Sequence, residues 1–343
     1  MFKQSWSHYW HIFGQLLKIQ FLYWSQNIMN LFLGIGVSLY TMVCWLAFKS
    51  NDPFLMISGI SVGLVRNALY IHLKTNLDYR SKNLDDRLSL TPIPAWLNNL
   101  AAFTFNVLST MFICTFMFVV ALIFFGDQRA LLKNANQGII WVGLILAWLT
   151  SYVIANFIFI YIKSNKLGQM IGLTIYFTTM YFLGLGFPFE RIISVKWLNY
   201  ILYLHPFRYV MNIVQAGFVN SPNFIYKPDN FDFGYHGMGW LPYLLAVIMI
   251  VFYWTLYKIR FNYLYAFHRR NKYGEFVVKE SSSRYLSQLR KAKSVKEVKI
   301  LHQERTGILK NKSPSTKKIV EQVEHESWIE FWFKNRNNDE RKK

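Results

Sequence analysis

Six long apolar runs decide what this chain can become. They cover residues 28–48, 54–71, 100–125, 138–162, 167–187 and 240–257. About 20 mostly apolar residues, wound at about 1.5 Å per residue, cross the ~30 Å hydrocarbon layer of a bilayer as a helix. Such a helix satisfies its own backbone hydrogen bonds, which lipid cannot do. The runs therefore predict an all-α membrane protein with six transmembrane helices. They exclude a soluble enzyme and a disordered chain. Cys44 and Cys114 are the only cysteines and both fall inside runs, so they read as small apolar residues and not as a disulfide framework. The first residues carry aromatics and amphipathic spacing, not the charged stub and short apolar core of a cleavable signal peptide.

The net charge of +20 sits elsewhere. Residues 1–257 hold 16 Lys and Arg against 8 Asp and Glu, whereas residues 258–343 hold 22 against 10. This divides the chain into a six-span domain, 1–262, and a basic, partly disordered cytoplasmic tail, 263–343. If the N-terminus is cytoplasmic, the basic residues between spans and before the first divide eight inside against seven outside, which decides nothing. Lys258, Arg260, Arg269, Arg270 and Lys272 follow the last run closely and predict a cytoplasmic C-terminus. With six spans, both termini are then cytoplasmic. The tail carries no nucleic-acid recognition motif. Its basic segments and the aromatic stretch 326–333 suit anionic lipid on the inner membrane face or a partner, and no nucleic acid is expected.

The connecting segments are informative in turn. Residues 2–21 place Phe2, Trp6, Tyr9, Phe13, Leu16 and Leu17 at the spacing of one helix face, which predicts a helix lying in the membrane interface. Arg66 lies in the second run; it either snorkels to the cytoplasmic end or lines a pathway. The loop after that run contains Leu84, Asp85, Asp86, Arg87, Leu88, Thr91 and Pro92, a short half-apolar helix that ends before its proline and is suited to docking. After the fifth run, Pro206 splits the apolar segment 197–219 into two pieces too short to span, which predicts a broken, re-entrant helix pair. Residues 220–239 read as an external loop.

Several chemistries lack their residues. The sequence holds no His-Glu-x-x-His helix, no Gly-x-Ser-x-Gly elbow and no Walker phosphate loop. No catalytic residue and no metal site are expected, and any ATP used must be held by another chain. Aromatic and sulfur side chains such as Phe177, Met180, Tyr181 and Phe182 crowd the fifth run. They either line a pathway for an amphiphilic substrate or face lipid and neighbouring helices.

Two motifs carry a family resemblance. One is Asp85-Asp86-Arg87-Leu88-Ser89-Leu90-Thr91-Pro92-Ile93. The other runs from Gly186-Phe187-Pro188-Phe189-Glu190 through Trp197-Leu198 to His205-Pro206-Phe207-Arg208-Tyr209. In order and spacing, residues 1–262 resemble the membrane subunit of ATP-binding-cassette (ABC) exporters of the type-2 permease family. Departures from the pattern include His205 in a place usually held by Asn, and an acidic pair in place of a Glu-Gly-Thr run. The resemblance implies that Leu84, Asp85, Asp86, Arg87, Leu88, Thr91 and Pro92 form the helix that couples to an ATPase subunit. It implies that Pro188, Glu190, Trp197, His205, Pro206 and Tyr209 belong to re-entrant extracellular helices, and that ATP and Mg are bound by the ATPase partner while this chain binds no cofactor. A second permease chain, identical or related, would complete the plasma-membrane unit. The candidate pathway residues are Arg66, Phe177 and Tyr181. A drug, peptide or lipid-linked molecule would be the cargo. The alternative is a non-transporting membrane scaffold or regulator acting through the tail. A composition rich in Lys, Asn, Ile and Phe fits a low-GC bacterium.

Overall fold

The computed structural model describes residues 6–26, 28–48, 52–82, 93, 95–187, 189–226 and 231–262. The coupling segment 84–92, Pro188 and the tail from 263 lie outside the described residues. The chain divides into two units, Met1–Arg260 and Phe261–Lys343, and the elements described belong to the first, apart from the last two residues of its final helix.

The described chain is almost all helix. Helix α1 (Trp6–Gln26) is followed by α2, in which Ile28–Leu31 and Val37–Phe48 are joined by a π turn at Phe32–Gly36. Then come α3 (Leu55–Ser81), α4 (Ala95–Phe124), the short α5 (Gly126–Leu131), α6 (Gln137–Tyr161) and α7 (Asn165–Phe182). Three short helices, α8 (Phe189–Ser194), α9 (Lys196–Tyr203) and α10 (Phe207–Phe218), precede a small hairpin, β1 (Ile225–Tyr226) and β2 (Phe231–Asp232). Helix α11 (Leu241–Asn262) closes the unit.

Among the described residues, four helices are long and apolar enough to cross a membrane: α3, α4, α6 and α11. The first and fifth runs fall short of that standard. The apolar part of α2 is confined to Phe32–Phe48. Helix α7 stops at Phe182, five residues before the run does, because Gly184 turns the chain at φ +107° and Gly186 N–H donates back to Met180 O at 2.9 Å. Positive φ costs glycine little, which suits it to end a helix.

Helix α3 is the centre of the bundle. Its start is pinned by Asp52, whose carboxylate accepts from Phe54 N–H at 2.9 Å, and by Gln128 of α5, whose side chain donates to Asp52 O at 3.0 Å. Of its apolar window, 94% is buried. Gly59 and Gly63 stand four apart on it, directly beneath Met42 of α2 and Met117 of α4. Small residues at that spacing let helices approach closely. A second close contact joins α6 to α10. Gly143 sits under Ile213 and Val214, while Gly217 sits under Ile139 and Ile140. Every residue of α10 is buried.

Helix α1 uses its predicted apolar face against protein. Leu16 packs with Leu97 and Ala101 of α4, joined by Tyr9 and Phe13. A different set, Trp10, Ile19, Phe21 and Leu22, is exposed. The loop before α11 packs part of its aromatic content into the core. Phe224, Phe233 and Tyr235 are buried, and the Phe233 ring stands 5.5 Å from that of Phe54. Only 6% of the apolar window of α11 is buried, and Leu244, Val247, Ile248, Val251 and Phe252 lie open along it.

Candidate functional site

The interior is apolar except at a few nodes, and these are where chemistry can reside. The first is Arg66. Reading the second run as ending near Ile71 places Arg66 within a turn or two of the cytoplasmic end, where it can snorkel. In the structure its side chain turns inward, against α7. Helix α3 continues to Ser81, so Arg66 lies fifteen residues from its end, about 22 Å at helical rise. It is 3% exposed. Its Nη1 donates to the Tyr176 hydroxyl of α7 at 2.8 Å, and the guanidinium carbon lies 4.8 Å from the centre of the Tyr176 ring. Its Nε–H is buried with no acceptor among the described residues. A π turn, Arg66–Ile71, begins at this residue.

The other two pathway candidates do not join it. Phe177 and Tyr181 lie on the outside of α7, 41% and 39% exposed, with rings stacked 6.2 Å apart. Tyr176, one residue before Phe177 on the helix, is the side chain that reaches Arg66. Nothing in the residue pattern prefers it among neighbouring aromatics, since only the rotation of α7 separates the three.

A second node runs along α10. Arg208, Asn212 and Gln215 are four and three residues apart, which places them on one face, and all are buried. Arg208 Nη1 donates to Asn199 O at 2.9 Å, and its guanidinium lies over the Tyr203 ring at 3.8 Å. Asn212 donates to the Tyr235 hydroxyl at 2.8 Å. Burial pushes the Tyr235 phenol above its usual range, partly offset by the nearby Arg208 charge. Gln215 Nε2 donates to Ser58 Oγ at 2.9 Å and to Leu183 O at 2.8 Å, tying α10 to α3 and to the end of α7. Arg208 falls within the second sequence motif, whereas Asn212 and Gln215 lie beyond it. The signal for those two was the polar spacing inside an otherwise apolar helix.

The residues around Pro206 fold as a broken pair. The chain interrupts its helix at Leu204–Pro206, leaving α9 and α10 at 8 and 12 residues. Proline lacks the N–H a continuing helix needs and disfavours helical geometry in the residue before it. His205 Nε2 is 3.0 Å from Thr178 Oγ1 of α7. The threonine hydroxyl has the carbonyls of Thr174 and Ile175 to donate to, so it accepts from the imidazole. The buried Tyr209 hydroxyl donates to Tyr203 O across the break. Trp197 is 67% exposed. Glu190 lies on α8, with its side chain outside the described set. These positions occupy one segment, but they make contacts that hold the fold and do not converge on an open site.

A third polar node joins α3, α4 and α6, with α1 beside it. Asn67 donates to Ser109 Oγ at 3.1 Å and to Thr110 Oγ1 at 2.8 Å, and Trp148 Nε1 donates to Asn106 Oδ1 at 2.8 Å. A crevice lined by Gln20, Asn67, His72, Asn76 and Asn106 has room for about one water molecule.

At the far end of α3, Arg80 closes the bundle. It donates to the carbonyls of Phe159, Ile162 and Lys163 at 3.0, 2.9 and 3.0 Å, and to Asn165 Oδ1 at 2.9 Å. The last turn of α3 is thereby tied to the turn between α6 and α7. Among the described residues, no group of three His, Cys, Asp or Glu side chains is placed to hold a metal ion. Compared with known proteins, the chain matches no family model, no curated protein and no solved structure.

Proposed function

We propose that this chain is the membrane subunit of an ATP-driven exporter of the ABC type-2 kind, moving an amphiphilic substrate out across the plasma membrane. In this assignment α2 and α7 join the four long helices as spans, and α9 and α10 dip into the outer leaflet as a re-entrant pair. Both termini are cytoplasmic. A second permease chain and two ATPase subunits complete the unit, and the ATPases hold ATP and Mg.

The observation that carries this function is the course of α3. It is the most buried long helix, it bears Arg66 at mid-length, and it runs unbroken to Ser81. The motif segment 85–93 follows within a few residues. A force applied to that segment by a closing ATPase would act on the end of the central helix, and the Arg80 clamp would pass it to α6 and α7.

The experiment is purification of the full chain from its native membrane, with and without Leu88→Asp, and identification of any ABC ATPase that comes with it. Co-purification with the wild type and its loss with the variant is the expected result. Hydrolysis should rise when a transported amphiphile is added. An ATPase that never co-purifies, or one that stays bound to Leu88→Asp, refutes the coupling assignment. Deleting residues 281–343 tests the scaffold alternative: a transporter keeps its ATPase, whereas a scaffold loses its function.

A further inference from the structure

Arg66 presents an unsatisfied problem in electrostatics. A permanently charged guanidinium in the middle of a membrane helix is costly unless something compensates it. Arg66 lies about 16 Å from the start of α3 and about 22 Å from its end. It is 3% exposed and makes no ion pair with a described residue. Its partner is a neutral phenol, and its buried Nε–H has no acceptor among the described residues. A side chain retained for packing alone would not need that charge.

The backbone around it is unusual as well. Arg66 opens the π turn Arg66–Ile71 of α3, and α2 carries its own π turn at Phe32–Gly36. The two turns lie against each other: Asn67 Oδ1 is 3.8 Å from where a Cβ would stand at Gly34. Single π turns within helices frequently mark functional sites. Transporters form mid-membrane binding sites where spanning helices depart from regular geometry.

We propose that Arg66 binds the oxyanion head group of the carried molecule, so that the substrate class is an anionic amphiphile bearing phosphate or carboxylate. This rests on the transport function proposed above. The free Nε–H and its edge of the guanidinium supply the planar donor fork that oxyanions accept. Tyr176 holds the other edge and fixes the plane. Val65, Ala68 and Leu69 beside it on α3 are buried and apolar, which matches the hydrocarbon part. The charge that the protein leaves uncompensated at mid-helix is neutralised when the substrate arrives.

The test uses the purified full chain in dodecyl maltoside, with binding followed by intrinsic tryptophan fluorescence. The probes are dodecyl phosphate, dodecanoate, dodecyltrimethylammonium and inorganic phosphate. Wild type should bind dodecyl phosphate or dodecanoate at least tenfold more tightly than Arg66→Gln does, and the tighter of the two names the head group. The cationic probe should show no such difference. Inorganic phosphate should compete weakly; competition equal to that of the amphiphile would overturn the amphiphile assignment. Equal binding of both anionic probes by wild type and Arg66→Gln would overturn the proposal, because the basic tail would then account for it. Arg66→Lys keeps the charge and loses the fork. It must bind the preferred probe at least threefold more weakly than wild type, and it decides the matter if the glutamine variant does not fold. Loss of the binding difference leaves ATPase co-purification standing, and failure of co-purification leaves the binding result standing, so the two claims fall separately.

Discussion

Replacing Arg80 with Ala should loosen the end of the bundle where α3 meets the turn between α6 and α7. The side chain donates to three main-chain carbonyls, Phe159, Ile162 and Lys163, and to the Asn165 side chain. Its guanidinium carbon also lies 5.0 Å from the centre of the Phe159 ring. A hydrogen bond from a charged donor contributes about 1.5–3 kcal/mol net. The bond to Lys163 is exposed and those to Phe159 and Ile162 are only part-buried, so water replaces much of what is lost. The equivalent of one such bond and the favourable placement of a cation at the α6 C-terminus survive that discount, the latter at about 0.3–1 kcal/mol. Together they amount to about 3 kcal/mol. For a unit of this size, 1 kcal/mol moves the midpoint by about 2–4 °C, so Tm should fall by about 6–12 °C. A thermal-shift measurement on the purified chain in neutral detergent reads this directly. Arg80→Lys should recover less than half of the loss, because one ammonium cannot reach carbonyls spread over several residues. A shift below about 2 °C for Arg80→Ala, the least that 1 kcal/mol would give, or full recovery by lysine, would show that this end is held by packing and not by Arg80.

Other perturbations test the interior. Gly143→Ala puts a Cβ 2.6 Å from Val214 Cγ2 and 3.0 Å from the Val214 backbone nitrogen, so it should cost about 1–3 kcal/mol, seen as a lower unfolding midpoint. A double-mutant cycle on Ser58→Ala and Gln215→Leu should return a coupling of about 0.6 kcal/mol, the average for hydrogen bonds between membrane helices, and at most about 1.7 kcal/mol; zero coupling would deny the contact. Asn136 caps α6 by accepting from Ile139 N–H at 3.2 Å, and Asn136→Ala should destabilise by about 1 kcal/mol while Asn136→Asp preserves the cap, both read as thermal midpoints.

The helical class was legible because it depends on composition summed over long windows. The runs at 100–125 and 138–162 reappear as α4 and α6 within a few residues at either end. Where a boundary rested on one residue type, it moved. The run ending near Ile71 gave no sign that α3 would continue through His72, Lys74 and Asp78, because polar residues near a helix end resemble a loop when only apolarity is counted. That shift carried Arg66 from near the end of its helix to mid-length. The break at Pro206 was legible for a local reason: a proline has no N–H to continue a helix that precedes it, while it is tolerated at the start of the next. The burial of all of α10 was not, since a re-entrant helix can pack against protein or line a cavity, and the partners of Arg208, Asn212 and Gln215 decide which.

The sequence by itself determined that this chain is helical, is rich in segments that suit a membrane, and carries more than half of its net charge at one end. Those properties are sums over residues and need no knowledge of neighbours. Only the tertiary structure decided that α3 is the core, that Tyr176 and not Phe177 meets Arg66, and that Gln215 ties three helices together. Each of these depends on the rotation and close approach of helices far apart in the chain. Side-chain spacing repeats every turn and so names a face, but what that face meets is set by packing.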